Sequence, residues 1–281
     1  MDALHFMLWP LIASLILPWL LVYLGLHIVQ RGVIFVDLAL AQTAALGSCI
    51  AILCGYDPHD WQNYVFSLGF TFLGAVLLTF TRSRNRQVPQ EALIGVVYVV
   101  AAAAAILALS KSAGGSEELK RSLIGELLVV PPREVLRTFV LFAVVGAVHF
   151  ACRKPFAAIS ADHEVAADRG LKVWWWDFLF YILFGLVVTS FVHIGGVLLV
   201  FSYLVVPALC AAYFAQSLGV RFAVGWAIAT VASICSLLIA SRPQWDLPIG
   251  ATIVCLLGLA LVLCAVAARV QTVLRQRKEP R

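Results

Sequence analysis

Two polar side chains inside an apolar stretch are the residues best suited to chemistry. Asp37 and Gln42 both lie in "IFVDLALAQTAALG", Ile34 to Gly47, whose other residues are typical of a membrane-spanning helix. A carboxylate inside a bilayer is costly, so it indicates a substrate pathway or a partner charge. We therefore interpret Asp37 as a candidate residue of a translocation path, and local pairing with Arg31 is the alternative.

The position of Gln42 relative to Asp37 leaves its role open. Five residues separate the two, which is about 140° around a regular helix, so they do not share a face. A one-residue bulge of the π type would bring them into line, and such bulges are frequent at functional sites. If that bulge forms, Gln42 shares the face of Asp37, and otherwise Asp37 acts without it.

Two further residues are candidates for the same path. Glu91 opens the fourth apolar segment, and the alternative is an interfacial position, because a glutamate at a helix N-terminus is stabilising there. His193 comes just before the pair Gly195 and Gly196. Because broken helices at membrane depth line cavities, His193 is a candidate metal ligand or pore residue, with a hydrogen-bonded structural histidine as the alternative.

The sequence indicates a function less clearly for the polar residues near the ends of two apolar segments. The stretch "DPHDW", Asp57 to Trp61, groups oxygen and nitrogen ligands that would help hand over a cation on the outer side, or it is a solvated turn. Asp177 follows the three tryptophans Trp174 to Trp176. Since tryptophans collect at membrane interfaces, we expect Asp177 to lie at the interface.

The elements that must position these residues are transmembrane helices. The chain is 62% hydrophobic and only 12% charged, which is typical of a polytopic membrane protein and not of a nucleic-acid-binding protein. We predict an all-α fold of about eight to nine spans in one transmembrane domain, residues 1–281. The segments are 7–29, 33–54, 63–81, 91–110, 134–152, 174–194, 196–215, 222–241 and 247–268.

The basic residues predict the orientation of these spans. The connections after the odd-numbered segments hold 14 of the 20 lysines and arginines. By the positive-inside rule, the N-terminus lies outside and the C-terminus in the cytoplasm. This orientation makes residues 111–133 an extracytoplasmic loop and residues 153–173 a cytoplasmic loop.

The cytoplasmic loop carries the signals of a short helix. Ser160 is a candidate N-cap, acidic residues follow in the first turn, and a glycine marks the end. Small apolar residues in its middle give it a modest apolar surface, so it is either a partner contact or an ordinary helix on the membrane surface. The residues concerned are Asp162, Glu164, Val165, Ala166, Ala167 and Gly170.

Motifs for nucleotide binding and hydrolysis are missing from the sequence. There is no G-x-x-x-x-G-K-[ST] phosphate loop, no H-E-x-x-H and no G-x-S-x-G. We therefore predict that the chain is not an enzyme.

Three blocks resemble the membrane permease subunits of the ABC-3 family of bacterial metal importers, over roughly residues 15–270. The blocks are "RGVIFVDLALAQTAALG" from Arg31, "EALIGVVYVVAAA" with "LIGELLVVPPREV" from Glu91, and the stretch from Ser160 to Ala212. The third block is the most specific. It joins a D-x-E-x-A-A-x-x-G stretch to a Gly-Gly pair and a "VVPA" ending.

The resemblance implies an importer with several subunits in the bacterial inner membrane. A second permease subunit, most simply an identical copy, would complete the path. A cytoplasmic ATP-binding subunit would dock on the loop helix, which then corresponds to the family's coupling helix. An extracytoplasmic metal-binding protein would deliver the cation. Asp37 falls on the family's acidic position, and the metal ion is a substrate and not a bound cofactor.

One departure from the family pattern bears on the metal. Many members place a histidine four residues after the acid, where this chain has Ala41. An amide is a weaker and harder ligand than imidazole. Zinc is the first expectation from the resemblance, and manganese and iron(II) stay open. The competing functions are a secondary metal carrier or exporter, a siderophore-type ABC permease, and a non-transporting assembly protein.

Overall fold

The computed structural model describes residues 3–81, 89–110, 115–125, 127, 130–240 and 247–278. Within these ranges the secondary structure is helical, which confirms the predicted all-α fold. Eleven α-helices follow one another along the chain: α1 Ala3–Arg31, α2 Val36–Leu53, α3 Trp61–Thr81, α4 Gln90–Leu109, α5 Gly115–Ile124, α6 Pro132–Ala151, α7 Arg153–Ala161, α8 His163–Asp168, α9 Val173–Phe214, α10 Leu218–Ala240 and α11 Ile249–Lys278.

Eight of these helices, all but α5, α7 and α8, are long and apolar enough to cross a membrane. The polytopic architecture expected from the sequence is therefore confirmed. The outward surfaces of α3, α4, α6 and α11 carry exposed large apolar side chains, such as Leu107 at 73% exposure. In a bilayer these surfaces contact lipid or other membrane helices, because both are apolar.

Helix α9 covers two of the predicted membrane segments, 174–194 and 196–215. It runs for 42 residues with one non-helical residue, Gly196, at φ 73° and ψ 166°. A straight helix of that length would measure about 63 Å, twice the thickness of the apolar core of a bilayer. The backbone of Gly196 adopts a conformation that is essentially restricted to glycine. The helix therefore has two limbs, residues 173–195 and 197–214.

The two limbs fold back on each other. The rings of Phe191 and Tyr203 have centroids 5.9 Å apart, although twelve helical residues would separate them by about 18 Å along a straight axis. Helix α1 also contacts both limbs near its end. Arg31 lies over the ring of Phe180, and a Cβ on Gly25 would meet the carbonyl oxygen of Leu204. The limbs thus supply two antiparallel crossings.

Backbone contacts hold the bend of α9 in place. Gly125, just after α5, lies so close to the bend that a Cβ there would be 2.2 Å from the carbonyl carbon of Gly195. A Cβ on Gly250, at the start of α11, would be 2.7 Å from the carbonyl oxygen of Ile124. Only glycines permit such close approach, so α5, α9 and α11 meet through their main chains at this point.

The helix ends define two faces of the helical layer. The face that carries α7 is here called the α7 face. It also holds the end of α1 and the start of α9, because Arg31 contacts Asp177. The starts of α2 and α4 lie there together, because Glu91 contacts the backbone of Ile34. The opposite face holds the connection between α2 and α3 and the start of α6, because His59 lies 3.7 Å from Glu134.

The bend generates a stability prediction. Gly196→Ala is expected to lower the free energy of unfolding by about 2 kcal/mol or more, because alanine is strained at this conformation and its Cβ would lie 2.5 Å from the nitrogen of Gly125. Thermal unfolding of the detergent-purified protein measures the effect. Gly258→Ala is the matched control, since Gly258 is helical with no atom within 4 Å of the added Cβ. Equal melting temperatures for the two variants would contradict this account of the bend.

Candidate functional site

Asp37 lies in the first turn of α2 and is completely buried. Among the described residues, neither of its carboxylate oxygens has a hydrogen-bond partner. The position near the N-terminus of α2 favours a negative charge through the helix dipole, but that effect is only about 0.3–2 kcal/mol. Burying a carboxylate without partners costs considerably more. Asp37 is therefore an acid whose burial the rest of the described structure does not offset.

Arg31 pairs with a different acid. Its Nη1 donates to Oδ1 of Asp177 at 2.8 Å, and both side chains are only 1% exposed. The alternative that Asp37 serves as the local partner of Arg31 is therefore not supported by this structure. The interfacial depth expected for Asp177 stays a prediction, and the structure adds that its side chain is turned into the protein and buried.

A periodic pattern in the sequence would have predicted that the side chain of Asp177 is buried. The buried residues Phe180, Tyr181 and Phe184 follow it at three, four and seven positions. These spacings define one face of a helix, so Asp177 begins the buried stripe of α9. The neighbouring tryptophans mark the depth of the residue in the membrane but not the direction of its side chain.

Glu91 lies beside Asp37 on the α7 face. Its Oε1 accepts a hydrogen bond from the backbone nitrogen of Ile34, three residues before Asp37. The two carboxylates are near enough for their charges to interact. Oε2 of Glu91 is also buried without a hydrogen-bond partner in the described part of the chain. Helices α2 and α4 thus bring together two acids with unused oxygen ligands.

Gln42 does not join this pair through a distortion of the helix. Helix α2 is α-helical from Val36 to Leu53, without a π turn. The side chain of Gln42 is 4% exposed, and it lies about 140° around the helix from Asp37. The bulge that would have aligned the two residues is absent, so the acidic pair consists of Asp37 and Glu91.

His193 lies far from this pair, in a cavity at the opposite face. The cavity has a volume of about 110 Å³ and opens between α2, α3, α6 and α9. Polar and charged residues contribute to its wall, namely Ser48, His59, Asp60, Tyr64, Ser122, Glu134, Arg137, Thr138, Ser190 and His193. The predicted site residues therefore divide into two levels, one at each end of α2.

The hydrogen bonds of His193 leave one ring nitrogen as an acceptor. Its Nδ1 donates to the carbonyl oxygen of Thr189 at 2.9 Å, so Nε2 keeps its lone pair and lies 3.5 Å from Oγ of Ser67. Histidines that bind metals commonly donate their other ring N–H to a carbonyl or carboxylate in this way. This tautomer of His193 could bind a metal ion through Nε2.

The remaining charged residues at this cavity contact one another or an aromatic ring. His59 and Glu134 are 3.7 Å apart, while the guanidinium of Arg137 lies 4.0 Å from the ring centroid of Tyr64. Within the described ranges, no group of three histidine, cysteine, aspartate or glutamate residues could hold a metal ion. The stretch "DPHDW" forms a turn closed by Asp60, which accepts from the nitrogen of Asp57.

The predicted loop helix forms, but with different ends. Asp162, and not Ser160, is the N-cap of α8, since its Oδ1 accepts from the nitrogens of Glu164 and Val165 at 2.9 and 3.1 Å. Ser160 instead belongs to α7 and is buried. Its hydroxyl contacts His27 and Arg31, so it is not available for capping. The expectation for Ser160 is therefore wrong.

Gly170 ends the helical turn as expected. It has φ 83°, and its nitrogen donates to the carbonyl of Ala167 while that of Leu171 donates to Ala166, an arrangement typical of glycine C-caps. Ala166 is buried and anchors α8 to the rest of the chain. Glu164, Val165 and Ala167 are exposed, so they form the free surface of α8.

The chain is similar to known membrane proteins over most of its length. The sequence profile of the ABC 3 transport family matches residues 3–268. The manganese import system permease protein ScaB of Streptococcus parasanguinis is 23% identical, over 84% of this chain and 81% of that protein. The high-affinity zinc uptake system membrane protein ZnuB of Haemophilus influenzae is 23% identical, over 78% and 80%.

A solved structure shares the fold. The structure of PsaBC from Streptococcus pneumoniae in complex with Fab aligns with a TM-score of 0.77 and 22% sequence identity. The alignment covers 92% of this chain and 91% of that chain. The helical arrangement described above therefore recurs in a structurally characterised membrane protein.

The contrast between the two buried acids generates a stability prediction. Asp37→Asn is expected to leave the melting temperature unchanged or to raise it, because a buried charge without hydrogen bonds is removed. Asp177→Asn is expected to destabilise by about 3–5 kcal/mol, because Arg31 would lose its buried counter-ion. Thermal unfolding in detergent compares the two substitutions, which are chemically identical. A larger loss for Asp37→Asn would show that Asp37 has a structural partner.

Proposed function

Because the chain belongs to the ABC 3 transport family, we propose that it is the permease subunit of an ATP-driven importer of a divalent transition-metal ion. The family match and the membrane-spanning helices support the transport role. The observation that carries the cation specificity is the pair formed by the buried Asp37 and the half-buried Glu91, which are near enough for their charges to interact. Both carboxylate oxygens of Asp37 and Oε2 of Glu91 lack a hydrogen-bond partner in the described structure.

A passing cation would offset the cost of these carboxylates. Two adjacent acids in an apolar layer repel one another, and a divalent ion between them would both neutralise the charges and fill the unused ligand positions. Without any other described ligand at this level, the ion would be held weakly. Weak binding suits a translocation step, since the ion has to leave again.

Helix α2 connects the two polar levels into one path. At one end it contributes Ala44, Ala45 and Ser48 to the wall of the cavity that contains His193. At the other end it carries Asp37, about 16 Å further along the helix axis from Ser48. We propose that the cation enters by the cavity, contacts His193 and Glu134, and then passes to Asp37 and Glu91.

The two faces of the helical layer would bind different partner proteins. The distribution of basic residues supports a cytoplasmic α7 face, on which the exposed surface of α8 would dock the ATP-binding subunit. The opposite face would receive the extracytoplasmic metal-binding protein. A second permease subunit, most simply an identical copy, would close the path, and the assembly would lie in the bacterial inner membrane.

The ligand types favour one metal over another. Asp37 and Glu91 offer only oxygen, and manganese(II) accepts such ligands more readily than zinc does. Zinc, expected first from the resemblance, prefers nitrogen and sulfur ligands, which His193 supplies only at the outer level. The relatives named above are a manganese permease and a zinc uptake protein. We propose manganese(II) for the inner level, with zinc and iron(II) as the competing substrates.

Asp37 provides the direct test of transport. Asp37→Asn is expected to reduce uptake of radioactive manganese or zinc by about 10-fold or more in cells, because each lost charge contact of about 1.5–3 kcal/mol is roughly 10- to 100-fold. Glu117→Gln, at an exposed position of α5, is the matched carboxylate-to-amide control and should retain uptake. Normal uptake by the Asp37 variant at equal protein abundance would contradict the assigned role.

The N-cap of α8 tests the docking of the ATPase. Asp162→Ala is expected to destabilise α8 by about 1 kcal/mol through loss of the cap and to reduce copurification of the ATP-binding subunit. Asp162→Ser supplies a different capping oxygen and should restore the complex, which separates the loss of the cap from the loss of the charge. An unchanged amount of bound ATPase with Asp162→Ala would place the docking surface elsewhere.

A further inference from the structure

We propose that Ser160 and Arg31 act as positioning residues that convey movement of α7 and α8 into the membrane helices α1 and α9. We call the four residues His27, Arg31, Ser160 and Asp177 the polar joint. This inference rests on the proposed function, because it assigns the route by which ATP-driven movement at α8 would reach the cation path.

The hydrogen bonds of the polar joint link three helices. Arg31, the last residue of α1, donates from Nε to Oγ of Ser160 in α7 at 2.9 Å. The same guanidinium donates from Nη1 to Oδ1 of Asp177 in α9 at 2.8 Å. Nδ1 of His27 lies 3.0 Å from Oγ of Ser160. One planar group therefore fixes α1 relative to both α7 and α9.

Burial makes these contacts difficult to exchange for water. Ser160 is 2% exposed and His27 is 4% exposed, while the side chains of Arg31 and Asp177 are each at 1%. A displaced α7 would remove the hydrogen bond between Nε of Arg31 and Ser160 in a low-dielectric environment, which is costly. The joint therefore favours movement of α1 and α9 together with α7.

The apolar contacts of α7 are less restrictive. Phe156 packs against the rings of His149, Trp176 and Phe180 at centroid distances of 4.6, 5.7 and 5.7 Å. Ring contacts of this kind lose little energy when one ring slides over another, because they lack the directionality of hydrogen bonds. They hold α7 against the membrane helices, while the polar joint sets its position.

The place of Ser160 in the chain is suited to this role. It lies in the last turn of α7, two residues before Asp162, the N-cap of the exposed helix α8. A displacement of α8 thus reaches the hydroxyl of Ser160 through two residues of backbone. On the other side of the joint, Arg31 is followed after five residues by α2, which carries Asp37.

The test measures how much cation is transported for each ATP hydrolysed. The chain is reconstituted in liposomes with its ATP-binding subunit and the extracytoplasmic metal-binding protein, and manganese uptake and phosphate release are recorded together. Ser160→Ala is expected to retain ATPase binding and hydrolysis but to lower uptake per ATP by about tenfold or more, the effect of losing a hydrogen bond to a charged group. Ser160→Thr keeps the hydroxyl and should restore the ratio.

Two further variants separate coupling from stability. Ser233→Ala is the matched control, since Ser233 is equally buried and bonds to Tyr203 at 2.6 Å, away from α7. Its ratio should equal that of the wild type. Arg31→Lys keeps a positive charge beside Asp177 but removes the Nε donor to Ser160, so it should lower the ratio as Ser160→Ala does. It replaces Ser160→Ala as the test if the serine variant does not assemble.

The outcomes distinguish this inference from the proposed function. An unchanged ratio in Ser160→Ala or Arg31→Lys, or an equal fall in Ser233→Ala, would overturn the role of the polar joint while leaving the transport function intact. A wild-type complex that neither hydrolyses ATP nor takes up manganese, zinc or iron(II) would overturn the proposed function itself.

Discussion

The buried ion pair between Arg31 and Asp177 is the interaction on which the organisation of the α7 face depends. Charges in an apolar layer need partners, and this pair joins the end of α1 to the start of α9 across 146 residues of sequence. Because Arg31 is engaged there and at Ser160, it does not neutralise Asp37 in this structure. One contact thus holds the face together, and Asp37 is not part of it.

The second constraint is the return of α9 at Gly196. The bend lets a single helix provide two antiparallel crossings, and it gathers α5, α9 and α11 through glycine contacts. The first limb brings Asp177 to the α7 face and His193 to the opposite face. The polar cavity and the acidic pair consequently lie at the two ends of α2, which is the arrangement that a path across the membrane needs.

Local patterns in the sequence were sufficient to predict the membrane-spanning helices, but they were insufficient to predict which buried polar side chains contact one another. Apolar length predicted the helices, and the acids and Gly170 located α8 approximately. The partner of Arg31 and the burial of Ser160 depend on contacts between distant segments, which hydropathy and capping rules do not encode. Gln42 shows the same limit, since the sequence left two helix geometries open and the structure has the regular one.

The position of a bound cation tests the central claim most directly. Crystals of the permease complex soaked in manganese(II) would show the ion by its anomalous scattering. The account predicts a peak within about 2–2.6 Å of a carboxylate oxygen of Asp37, the range for oxygen ligands of divalent ions. An Asp37 carboxylate that is paired with a basic side chain of the assembled complex, with the ion bound elsewhere, would contradict it.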